Sequence, residues 1–123
     1  MKFNLAEIRW MQKGLSVLIQ KQLPIRVSYK LSKLSNFCNT EMAAVEQARV
    51  ELVKRFASPE KSRDGELRVS EENEEVFRKE FETLLLEEVE VEFEPIKLSD
   101  LSEEIKMSPV EMASLSKVIV SDI

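Results

Sequence analysis

The side chains able to do chemistry in this chain are mostly carboxylates, because imidazoles, thiols and glycine-rich loops are scarce. There is no His at all, which removes the commonest general base and the commonest metal ligand. The single Cys, Cys38, cannot build a structural zinc site or an intrachain disulfide. The two glycines, Gly14 and Gly65, are too far apart to form a phosphate-binding loop. Asp64-Gly65 at the end of a loop could suggest calcium, but the alternating oxygen ligands of a calcium loop are missing. What remains is a glutamate series: Glu71, Glu72, Glu74 and Glu75, then Glu87, Glu88, Glu90, Glu92 and Glu94. Such a series can pair carboxylates, hold a divalent metal or imitate a phosphate backbone. The simpler account is a solvated face that also blocks edge-to-edge aggregation. The sequence therefore predicts no catalytic residues, no cofactor and no metal.

The second constellation is basic. Arg9, Lys13, Lys21, Arg26, Lys30 and Lys33, with Lys2 nearby, fall in the first third of the chain beside Trp10 and Tyr29. Arg9 and Lys13 are one helical turn apart, as are Arg26 and Lys30. Cations interleaved with aromatic rings suit phosphate attraction and base stacking. A solubilising face explains them as well. Trp10 adjoins the apolar residue Met11 and is expected at the edge of the core.

These residues must be positioned by helices. Residues 26–57 read as one long amphipathic helix, with Val27, Leu31, Leu34, Cys38, Val45, Ala48 and Leu52 at coiled-coil-like spacing. Glu41 interrupts that seam, and Cys38 on it reads as a packing thiol. Neither Gly nor Pro breaks the run. At about 1.5 Å per residue it spans roughly 48 Å, far more than the ~14 Å radius of gyration of a compact chain of this size. A first helix over about residues 5–22 is capped by Asn4 with Glu7, and Ile8, Met11, Leu15 and Leu18 form its stripe. Gly14 within it implies close approach of a partner helix, or a bend. Pro24 ends this helix and opens the next, so the two form an antiparallel hairpin over residues 1–57. The hairpin leaves Val45, Leu52, Val53 and Phe56 at the far end without a local partner, which makes them a candidate protein interface.

After a loop at 58–65, residues 66–123 read as a small strand–helix–strand–helix unit. Leu67 and Val69 suggest a very short strand. Ser70 is placed to cap a helix carrying Val76, Phe77, Phe81, Leu84 and Leu85. Val89, Val91 and Phe93 alternate with glutamates over 88–94, the pattern of a half-buried strand. Ser108-Pro109-Val110-Glu111 is a capping box with Pro in first position, opening a last helix with Met112, Leu115, Val118 and Ile119. The fold class is thus mainly α with a minor β component (α+β).

Charge is unevenly spread. Residues 1–63 hold 12 basic and 5 acidic side chains, a balance of +7; residues 64–123 hold 6 and 18, a balance of −12. The two parts are expected to attract each other, within the fold or between subunits. No apolar run approaches the ~20 residues of a membrane span, and Leu15 to Ile19 is too short for a signal-peptide core. With one Cys, this predicts a cytoplasmic protein without membrane association.

The run Lys21-Gln22-Leu23-Pro24-Ile25-Arg26-Val27-Ser28-Tyr29-Lys30-Leu31, the Asp64-Gly65 turn and Pro95-Ile96-Lys97-Leu98-Ser99-Asp100-Leu101 resemble a family of small proteins of unknown function encoded by tailed bacteriophages and prophages. The resemblance implies a protein made inside an infected bacterium and carries over no functional residues. An overlong helix, short strands that need cover and the absence of catalytic residue types point to a non-enzymatic interaction or assembly protein. Its expected partners are a second copy or a phage or host protein. Two other functions fit the same residues: nucleic-acid binding by the basic hairpin, and an acidic DNA mimic that inhibits a host protein.

Overall fold

The computed structural model describes residues 1–57 and 68–121. The chain runs β1 (Lys2–Asn4), α1 (Leu5–Leu18), α2 (Ile25–Phe56), a 3-10 turn (Glu71–Asn73), α3 (Glu74–Leu85), β2 (Glu88–Glu90), β3 (Ile96–Lys97), a second 3-10 turn (Leu98–Asp100), α4 (Pro109–Ser114) and β4 (Ile119–Val120). Among the described residues it is mainly helical, with one long helix and two small strand pairs.

Both capping boxes form. The Asn4 N–H donates to Glu7 Oε1 (3.0 Å) and the Glu7 N–H to Asn4 Oδ1 (2.7 Å). At α4 the Ser108 N–H donates to Glu111 Oε1 (2.8 Å) and the Glu111 N–H to Ser108 Oγ (3.2 Å). The helix ends differ from expectation. α1 stops at Leu18, not near residue 22, because the N–H groups of Gln20 and Lys21 turn back to the carbonyls of Val17 and Leu18 (3.2 and 3.1 Å). α4 stops at Ser114, and Ile119, expected on its face, lies instead in β4. The Ser70 hydroxyl does not cap; a 3-10 turn precedes α3. α2 starts at Ile25, behind Pro24 with φ −52° and ψ 145°, and runs uninterrupted for 32 residues.

The strands are shorter and paired otherwise than the alternation suggests. Of residues 88–94 only Glu88–Glu90 is regular strand, and its antiparallel partner is β1, with Phe3 opposite Val89. One more rung joins Met1 and Val91, through Val91 N–H to Met1 O (3.0 Å) and the Met1 amine to Val91 O (3.1 Å). Exposure still alternates as far as Glu94, with Val91 and Phe93 half-buried between exposed glutamates. β3 pairs in parallel with β4, Ile96 opposite Ile119. Val69 makes a single bridge to Ala57; Leu67 and the loop at 58–65 lie outside the described residues.

One core draws on both parts of the chain. Phe3, Ile8, Met11, Leu15 and Leu18 are buried with Val27, Leu31, Leu34, Cys38 and Val45 of α2, and with Ile96, Leu115, Val118 and Ile119. α1 lies at its centre and packs against α2, α3 and α4. Gly14 is a point of close approach, and the approaching helix is α4 rather than α2. A Cβ there would collide with Glu111 O and Ser114 Oγ and lie 2.8 Å from Leu115 Cγ. The Gly14 N–H also donates to Ser114 Oγ (2.9 Å).

Candidate interaction cleft

The side chains of α2 one stripe away from its buried seam are Ile25, Arg26, Tyr29, Lys30, Lys33 and Phe37. They recur at helical spacing and form one wall of an open cleft of about 720 Å³. Residues 91–94 form the other wall. They are held at one end by the Met1–Val91 rung and at the other by Ile96, whose N–H donates to Val118 O (2.7 Å). The chain between these anchors stands off α2 and leaves the cleft. Leu34, Phe37, Val91 and Phe93 supply apolar lining. Ile25 and Tyr29 project at the mouth, 85% and 65% exposed.

Charge is arranged by wall. Arg26, Lys30 and Lys33 lie on the helix side, Glu92 and Glu94 opposite. Lys30 Nζ reaches Glu94 Oε2 at 3.9 Å, a long and exposed pair that contributes little to stability. The Lys33 ammonium lies 5.4 Å from the Tyr29 ring centre, a cation–π contact. Beyond Arg26 and Lys30, which border both, a second cleft of about 570 Å³ continues past Pro24 and Val27 to Ile96, Ser99 and Asp100. The combined furrow offers burial of apolar surface and fixed charge, the chemistry of recognition.

The other sequence candidates are placed elsewhere. Val45 is buried in the chain's own core. Leu52, Val53 and Phe56 are half-buried at the end of α2 where α3 lies alongside, tied by Arg55 Nη1 to Glu80 Oε2 (3.3 Å) and by the Ser70 N–H to Phe56 O (3.1 Å). The basic candidates meet different partners. Arg9 sits 6.0 Å from the Phe81 ring centre, and Lys13 lies 5.7 Å from that of Trp10. Lys13 and Lys21 both act on the Glu111 carboxyl. Only Arg26, Lys30 and Lys33 share the cleft. Cys38 is buried; its burial, and then the charge of Glu41, push the thiol up to about 11, so it stays protonated at neutral pH. Glu88, Glu90, Glu92 and Glu94 are all exposed. Among the described residues no group of three or more His, Cys, Asp or Glu is placed to hold a metal ion, and no helix is long and apolar enough to cross a membrane.

Sequence reasoning named Tyr29 as a ring beside the cations and Val91 and Phe93 as one face of a strand, and it missed Ile25 and Phe37 as site residues. The signal for these two was present: a second apolar stripe beside the seam of α2. Comparison with protein-family models, with curated proteins and with solved structures returns no match.

Proposed function

We propose that this chain is a non-enzymatic interaction and assembly protein that docks a protein partner through the furrow along the first half of α2. In line with its resemblance to phage-encoded proteins, we place its work in the cytoplasm of an infected bacterium. The observation that carries this reading is the open cleft itself. Apolar lining, projecting Ile25 and Tyr29, and charges of both signs are the features of a docking face. Nucleic-acid binding is the second reading, favoured by three cations and an exposed ring on one helix face. The carboxylates of Glu92 and Glu94 on the facing wall repel a polyanion, which ranks the protein partner first.

Tyr29→Asp is the informative variant, because Tyr29 is exposed and lies outside the core. Val45→Asp would strike the core instead. The immobilised wild-type chain, exposed to an infected-cell lysate, should retain a defined protein that the Tyr29→Asp chain loses. Equal retention by both would overturn the reading. Retention of nucleic acid that falls steeply with salt would favour the second one.

A further inference from the structure

Resting on that reading, we infer that the occupant of the cleft is a second copy of this chain, docked about a two-fold axis. A two-fold interface brings the same patch together with itself, so each feature must find its complement elsewhere on that patch. This patch meets the condition. Its apolar side chains, the exposed Ile25 and Tyr29 and the half-buried Phe37 and Phe93, can cover one another across the axis. In charge, it carries a positive wall (Arg26, Lys30, Lys33) and a negative one (Glu92, Glu94) across the same opening. Rotation by half a turn about an axis running along the furrow sets each wall against its opposite on the other copy, with Tyr29 of each copy buried in the contact. The intrachain Lys30–Glu94 pair, at 3.9 Å and exposed, is weak enough to exchange partners. Apolar burial supplies the attraction, and the charges select orientation. A uniformly acidic or uniformly basic partner would meet repulsion on one wall.

The test is charge reversal read as molar mass in solution, by light scattering and sedimentation. The wild-type chain should have twice its 14.2 kDa. The paired variants Lys30→Glu with Lys33→Glu, and Glu92→Lys with Glu94→Lys, each place like charges across both halves of the interface. Each should raise the dissociation constant at least about tenfold, or about 1.4 kcal/mol. Mixing the two variants restores opposite charges at both contacts and should return a mixed dimer. All four positions are at the surface, and circular dichroism melts of each variant verify that the fold is kept. A monomeric wild type overturns the inference, as does a dimer that survives Tyr29→Asp, or a mixture of variants that stays monomeric. A monomeric wild type that still loses a captured protein on Tyr29→Asp removes the self-docking alone. A monomeric wild type whose capture is also indifferent to Tyr29→Asp removes the assembly reading with it.

Discussion

Gly14 carries a constraint out of proportion to its size. In an isolated helix, Gly14→Ala would stabilise by about 1 kcal/mol, because glycine has the more costly backbone entropy. Here the added methyl would overlap the carbonyl oxygen of Glu111 and the hydroxyl of Ser114. A carbonyl held in a capped helix cannot swing aside as a side-chain end can. Overpacking of this kind costs about 1–3 kcal/mol, so the collision wins. Urea unfolding of Gly14→Ala should show a net loss of up to about 2 kcal/mol, with the slope against denaturant unchanged. A gain in stability would mean that α4 moves off α1 easily. The sequence already signalled this residue, since a mid-helix glycine implied close approach or a bend. It did not reveal that α4 is the neighbour, because nothing local records a contact a hundred positions away.

At the scale of elements, what was legible followed from rules that act within a few residues. Both capping boxes and the unbroken run of α2 were readable because cap, first-turn acid and apolar spacing are neighbours in sequence. The strand pairs were not. Lys2-Phe3-Asn4 is too short to show a period, and its partner lies near residue 89. β3 and β4 have two residues each. The same local caps predict a pH effect. Hydrogen bonding from the Asn4 N–H, and then from Lys117, lowers the Glu7 carboxyl; the Ser108 N–H lowers that of Glu111. A carboxyl whose value is lower folded than unfolded contributes stability above its unfolded value, about 4.3 for Glu. That contribution is lost as pH falls through the lower, folded value. The melting temperature should therefore drop on acidification below that range. Glu7→Gln and Glu111→Gln keep the cap geometry but remove the titration, so each should lower the melting temperature at neutral pH and flatten its acid dependence. Parallel curves for wild type and variants would show that other carboxylates govern the acid limb.

For the whole molecule, the question is whether the basic first part and the acidic second part behave as one unit. Charge and composition divide them near residues 58–65, and the sequence pattern separates a hairpin from an α+β unit there. The candidate cleft lay hidden for the same reason: one wall is α2 and the other is residues 91–94, on opposite sides of that division. Packing crosses it throughout. β1 pairs with β2, α1 packs on α4, and the Lys117 ammonium reaches Glu7 Oε2 (2.6 Å) and Lys2 O (3.1 Å). Phe3, Leu15 and Leu18 share one buried cluster with Leu115, Val118 and Ile119. A chain built this way should unfold in one cooperative step, with helix content by circular dichroism and Trp10 fluorescence reporting the same midpoint. Residues 1–57 expressed alone would lose β2, α3 and α4. Their α1 stripe would face water on the side that α4 covers, so the fragment should show helix content without a cooperative melt. Two separate transitions in the full chain, or a sharp melt of the fragment, would mean that the hairpin is a domain in its own right. The contacts of α1 with α4 would then be docking rather than core, and the cleft would be a mobile boundary between two bodies instead of a preformed face.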